Sequence, residues 1–154
     1  MEFSLVKHVT PFYDLWLSEN SMVWSFRSHG GECDEAGVES FLNDLEHLVA
    51  PTKPSYDIII DLSAGMSNFW PCAASLVSGL VRIRDKITPN LTAVISDNTA
   101  ICFFVQSIIK LANTNRNYAF VSSFDEAVGA VIAAAQPGQD AMQPCIHDVS
   151  KCHT

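Results

Sequence analysis

Basic residues are scarce in this chain, with nine Lys and Arg against 17 Asp and Glu and a formal charge of −8 over 154 residues. Nucleic acid and anionic membrane surfaces both require a basic footprint, so neither is an expected partner. Only Arg82, Arg84 and Lys86 cluster, at a helix end where cations complement the dipole. Long apolar runs are also missing. The most apolar window, Ala127–Ala135, is far too short to span a bilayer, so no integral membrane segment is expected. The opening residues Met-Glu-Phe-Ser carry neither a charged n-region nor an apolar h-region, which leaves no sign of a signal peptide and makes a cytoplasmic location the expectation. Gly30-Gly31 and Gly65 stand isolated, so there is no glycine-rich phosphate loop. No Ser-His-Asp arrangement can be read from residue order, and no cofactor is expected.

The chain does carry apolar residues at 48%, enough for one domain with a sizeable core. The cysteines number five, an odd count. Cys33, Cys72 and Cys102 sit in or beside predicted helices, which suits reduced thiols better than a disulfide framework. The most informative stretch is Tyr56–Ser63, a short continuous apolar run ending in a carboxylate and followed by a helical pattern. Strands covered by helices on both faces read this way.

Around it, Tyr13–Leu17 and Met22–Arg27 alternate on either side of Glu19-Asn20-Ser21 and predict an antiparallel hairpin. Phe3–Val9 is a candidate extra edge strand. Asp34 caps a helix whose apolar positions run from Val38 to Val49, until Pro51 and Pro54 end it. Ala73 to Ile87 marks a second helix, stopped by Pro89. Leu91–Ile95 is a strand. Helix three follows Asp97-Asn98-Thr99 and carries the stripe Ile101, Phe104, Val105 and Ile108. Tyr118–Val121 is a last strand, and Ser123-Phe-Asp-Glu126 is a capping box opening helix four. The expected fold is therefore α/β: a mixed sheet of about five strands, an antiparallel hairpin and then three parallel strands, with four helices. Residues 1–136 form the domain, and 137–154 read as a tail.

Three segments carry a resemblance: Tyr56-Asp-Ile-Ile-Ile-Asp-Leu-Ser63, Thr92-Ala-Val-Ile-Ser-Asp97 and Phe120-Val-Ser-Ser-Phe-Asp-Glu-Ala127. Over roughly residues 13–135 the chain resembles the SpoIIAA-like group of the STAS domain superfamily. That resemblance implies a docking or regulatory role. It also exposes a departure. Sporulation anti-sigma-factor antagonists of this kind place an Asp-Ser-Ser-Gly phosphorylation motif where this chain reads Asn68-Phe69-Trp70-Pro71-Cys72, so the usual phospho-switch is not expected. Ser67 is the nearest substitute, at a helix start where amides face outward. Its plainer role is a cap or turn residue.

Five constellations remain. Cys72, in the first turn of helix two, would have its thiolate favoured by the dipole, and is the candidate catalytic or redox thiol against the plainer reading of a buried core residue. Cys145, His147, Cys152 and His153 are soft ligands within nine residues of the tail, a spacing that closes a zinc tetrahedron poorly. Asp61, Ser63, Asp97 and Asn98 should gather on the rim beyond the carboxyl ends of the strands, where α/β folds bind ligands, although such residues more often cap the next helix. Ser67, Asn68 and Trp70 adjoin that rim. Finally, Phe103 and Ile109 give helix three apolar positions beyond its core stripe, and Phe12, Tyr13, Trp16 and Trp24 put aromatics on the hairpin. Such a patch marks a protein partner, a homodimer contact or a small apolar ligand. The leading expectation is a non-enzymatic protein-interaction or small-ligand-binding regulatory module. A thiol-dependent enzyme using Cys72 and a carrier of an apolar or lipid-like ligand are the alternatives.

Overall fold

The computed structural model describes residues 5–18, 20–53, 55–114 and 117–135. Period-two alternation, helix caps and prolines divide the described residues into six strands and four α-helices: β1 (Leu5–Val9), β2 (Tyr13–Ser18), β3 (Val23–Ser28), α1 (Glu35–Asp44), β4 (Asp57–Asp61), α2 (Ala73–Ile83), β5 (Thr92–Ile95), α3 (Thr99–Ala112), β6 (Tyr118–Val121) and α4 (Phe124–Ala135). The strands lie side by side in chain order, β1 to β6. β1, β2 and β3 pair antiparallel, and β3 to β6 run parallel. The expected architecture holds, with the Phe3–Val9 segment supplying the sixth strand as Leu5–Val9.

Local chemistry explains the boundaries. The Asp34 carboxylate accepts the Gly37 N–H at 2.8 Å and starts α1. The apolar pattern expected to run as one helix to Val49 instead changes pitch at Asp44, and Leu45–Val49 forms a π-helical turn. Glu46 on that turn binds both Arg82 at 2.8 Å and Lys86 at 2.7 Å, which ties it to the end of α2. α2 stops at Ile83 rather than Ile87. Asn98 caps α3 through the Ile101 N–H at 3.1 Å, and Asn113 ends it in the left-handed region at φ 53°. The capping box of α4 is offset by one residue: Ser123 accepts from Glu126 N–H, while the Glu126 carboxylate takes the amide of Ser122.

Pairing register assigns the two sheet faces. Ile58 and Ile60 share one face with their neighbours Thr92, Val94, Tyr118 and Phe120; Ile59, Ala93 and Ala119 share the other. The second face is packed closely. α4 lies on β4, β5 and β6, with Ala127 and Val131 against Ile59, Ala93, Ile95 and Ala119. Small residues on both sides let the backbones approach. On the first face α2 packs against both α1 and α3, and these helix backbones approach the strands less closely than α4 does. At Gly79 of α2 the packing between helices is tight enough that an added Cβ would sit 2.2 Å from Leu42 Cδ1 of α1.

Asp57 opens β4 on the α4 face and is only 3% exposed. Its Oδ1 accepts the Leu91 N–H at 3.0 Å, fixing the entry to β5. Burial pushes the carboxyl up to about 6 from 3.8, against the opposing pull of that hydrogen bond. The sign follows: between pH 4 and 6 the folded state holds a proton that the unfolded chain has lost, so stability falls as pH rises through this window. Asp57→Asn keeps an acceptor for Leu91 and removes the charge. We expect it to raise stability at pH 7 by up to about 3 kcal/mol and to flatten the pH 4–6 slope. Urea unfolding midpoints across that range measure both. Glu46, held down to about 2 from 4.5 by Lys86 and Arg82, has the opposite sign, with stability rising with pH up to about 5, so the Asp57 slope is read between pH 5 and 6 and as the difference between wild type and variant.

Candidate functional site

Because the helix layer stands off the first sheet face, a cavity of about 450 Å³ lies between them. Its floor is Ile58, Ile60 and Leu62 of β4 and its continuation, with Thr92 and Val94 of β5; its roof is Leu76 and Leu80 of α2 with Val105, Ile108 and Ile109 of α3. Small-molecule sites span about 300–1,000 Å³ and are mostly apolar, so size and lining both fit one. An apolar cavity of about 150 Å³ already stays dry and holds benzene.

Aromatic bulk at the two sides accounts for the gap. Beneath α1, Phe26 stacks between Tyr13 at 5.4 Å and Phe41 at 4.9 Å. Beside α3, Phe104 meets Phe69 at 4.7 Å and Trp70 at 5.0 Å. These clusters set the separation of the layers. Between them Leu76 and Leu80 pack into one cluster with Ile58, and Val105 and Ile109 pack against Val94 and Phe120, yet Ile60, Leu76, Leu80, Val105 and Ile109 all remain only half-buried. A buried polar network anchors the α1 side: the Tyr13 hydroxyl donates to Asp44, which also meets His8 Nδ1 at 3.0 Å. Burial and the Asp44 carboxylate push the Tyr13 hydroxyl well above the ordinary tyrosine range, keeping it a donor.

The two ends of the cavity differ. Beyond the carboxyl ends of β3 and β4 it is lined by Ser28, Gly30, Gly31, Glu32, Cys33 and Asp34. Gly30 and Gly31 adopt φ of 83° and 85°, which only glycine takes readily. At Gly30 a Cβ would also fall 2.9 Å from the Ala64 carbonyl, so the loop must pass that closely. Ser67 holds it there: its carbonyl accepts the Cys33 N–H and its N–H donates to Gly31 O, each at 2.9 Å. Asn68 donates to Glu32 at 2.7 Å. The opposite end, at the start of β5 and β6, is lined by Arg84, Pro89, Thr114 and Tyr118.

The expected site residues divide accordingly. Ser67 and Asn68 act as loop fasteners rather than at a helix start. Asp61 accepts Ser63 N–H at 2.9 Å and Ser63 Oγ–H at 2.6 Å and lies 3.6 Å from Arg27, which makes it a turn residue. Asn98 is a cap, and Asp97 stands exposed next to it. Trp70 and Phe103 come together, with rings 6.0 Å apart and exposures of 49% and 54%. Ile109 turns inward and lines the cavity. Of the aromatic surface expected on the hairpin, Tyr13 and Trp24 are buried, because the α1 layer covers that face of β2 and β3, while Phe12 and Trp16 are half-buried. Residues 145, 147, 152 and 153 lie outside the described residues. Among the described residues no group of three or more His, Cys, Asp and Glu is placed to hold a metal ion, and no helix is long and apolar enough to cross a membrane.

Cys72 ends a 3₁₀ turn, Trp70–Cys72, and is 3% exposed within the α1–α2 core. The residue beside it, missed in sequence, is Cys33. Burial, and then the adjacent Cys72 thiol, push Cys33 up to about 12. A nucleophilic cysteine needs the reverse, a lowered pKa and access. We expect both Cys33 and Cys72 to react with iodoacetamide at pH 7 far more slowly than free cysteine. Peptide mapping after timed labelling measures this, and rapid labelling of Cys72 would restore the thiol-enzyme reading.

No family model, no curated protein and no solved structure matches this chain.

Proposed function

We propose that this chain is a non-enzymatic binding module of STAS-like type that takes one small apolar ligand between its sheet and its α1–α3 layer. The observation that carries the reading is the cavity of about 450 Å³ bounded by half-buried aliphatic side chains from two layers. An unfilled gap of this size forfeits dispersion contacts on both walls, and an aliphatic ligand supplies them. The resemblance in strand–helix order supports a regulatory setting, in which occupancy of the cavity is what the domain reports.

A second reading is supported by a separate observation. Trp70 and Phe103 expose a contiguous aromatic pair beside Phe104, which itself lines the cavity. Protein partners are commonly anchored on exposed aromatics of this kind. Docking there would sense the ligand through Phe104.

Isothermal titration with 1-alkanols of increasing length tests the reading. Each added methylene should tighten binding about three- to fourfold until the chain outgrows the cavity, after which affinity should level or fall. Failure of every chain length to bind would overturn it.

A further inference from the structure

We propose that Cys33 and Cys72 are a redox pair that closes to a disulfide and pins the loop after β3 to the turn leading into α2. The inference does not depend on the ligand reading above. It adds a modification site at the cavity end beyond β3 and β4.

Two loops meet at that end and are already fastened. Cys33 N–H donates to the Ser67 carbonyl and Ser67 N–H donates to Gly31 O, each at 2.9 Å, and Glu32 and Ser67 pair as a short parallel bridge. Asn68 donates to Glu32 at 2.7 Å. From Asn68 the chain enters the Trp70–Cys72 turn, closed by Cys72 N–H on the Phe69 carbonyl at 3.0 Å. These bonds bring together two thiols that are distant in sequence. Cys33 packs against the apolar cluster to which Cys72 belongs, and the Cys72 thiol lies beside it. Both are free thiols. The backbone fixes their approach, so little ordering remains when the sulfurs join.

The two differ in access. Cys72 is buried, whereas Cys33 is half-buried and lines the cavity, so Cys33 is where a reagent arrives. A small-molecule disulfide such as oxidised glutathione is the oxidant. Cys33 gives up its proton and its sulfur bonds to one glutathione sulfur. The glutathione S–S bond breaks, and the other half leaves as a thiolate that takes up a proton. Cys72 then gives up its proton and attacks the Cys33 sulfur, and the second glutathione leaves in the same way. Two cysteine thiols are oxidised and one disulfide is reduced to two thiols. Apolar surroundings favour the product. They push the Cys33 thiol up to about 12, so no thiolate stabilises the reduced pair. A disulfide has neither charge nor donor to bury. In the oxidised form the loop that forms this end of the cavity is tied covalently to the start of α2.

Protonated thiols exchange slowly in the folded protein, so the whole chain is refolded from urea in glutathione buffers of graded oxidised-to-reduced ratio. Alkylation of the remaining thiols and peptide mapping then read which cysteines are joined. A peptide pair linked through Cys33 and Cys72 should appear as the buffer becomes oxidising and revert with dithiothreitol. The oxidised protein should melt about 5–10 °C above the reduced one, because the bond removes loop entropy from the unfolded chain. In Cys33→Ser both the linked pair and that rise should vanish. Recovery of Cys33 and Cys72 as thiols or as separate glutathione adducts at every ratio would overturn the proposal. Pairing of either with a different cysteine would do the same. So would a linked pair that melts below the reduced protein, since the bond would then distort the fold. If Cys33→Ser does not refold, the wild-type linkage map and its two melting temperatures decide.

Discussion

Filling the cavity from its roof, with Val105→Phe and Leu76→Phe together, should raise the melting temperature and weaken binding of aliphatic ligands at least tenfold. Both positions are half-buried and face the gap from α3 and α2. In a closed core, adding this much side chain costs about 1–3 kcal/mol through strained rotamers and displaced backbone. Here the new rings enter space that holds no protein atoms. They gain dispersion contacts against the β4–β5 floor, and cavity filling of this type commonly contributes about 0.5–2 kcal/mol. For a chain of this size that corresponds to a rise of a few degrees, at about 2–4 °C per kcal/mol. Calorimetry on the double variant therefore reads the sign of a single quantity. A rise with lost binding identifies the gap as the site. A fall of several degrees would mean that α2 and α3 rest on the sheet, and the proposed site would not exist.

Ile59→Asp should abolish cooperative folding. Ile59 is 0% exposed, on the opposite face of the same strand, between the sheet and α4. Its neighbours in register and packing include Ala93, Ala119, Ala127 and Val131, which offer no hydrogen bond and no counter-charge, and Ser25, which offers a single hydroxyl. The carboxyl must be buried either ionised, at prohibitive cost, or protonated with at most the Ser25 hydroxyl to meet it, which costs several kcal/mol together with the lost sec-butyl packing. Total stabilities of domains lie near 5–15 kcal/mol, so either route exhausts the margin. Circular dichroism melting and gel filtration provide the check. A monomeric variant with a sharp transition would remove β4 from the two-sided interior. The two experiments probe the two faces of one sheet and should come out with opposite signs.

The difference between those faces also explains what could be read in advance. The element order was legible because each signal is local: alternation in Tyr13–Leu17, a continuous apolar run in Tyr56–Leu62, Asp34 and Asn98 as caps, and the Ser123–Glu126 box. The α4 interface was legible too, since Ala127 and Val131 meet small residues directly. The cavity was not. Val105, Ile108, Leu76 and Leu80 produce the same periodic stripe whether they touch a strand or line a void. What decides between those outcomes is the height of the layer, set by Tyr13, Phe26, Phe41, Phe69 and Phe104, which lie far apart in the chain. Arg84 read as a helix-end cation and is one, through Ala112; that it also faces the cavity depends on where α3 ends. Pairing of Trp70 with Phe103 was half legible, as apolar residues flanking two separate helix starts.

The succession of strands in the sheet has a further consequence for biogenesis. Since β1 to β6 sit in the order in which they are synthesised, each strand can join the growing margin as it leaves the ribosome, without threading between two already placed. Nearest-neighbour assembly keeps each loop-closure cost lower than pairing with a more distant strand would. The roofed chamber is finished only when α3 returns to the sheet, and the opposite face around Ile59 is sealed last, by α4. A nascent chain halted before that final helix would present Ile59, Ala93 and Ala119 to water, and this is the intermediate most in need of a chaperone.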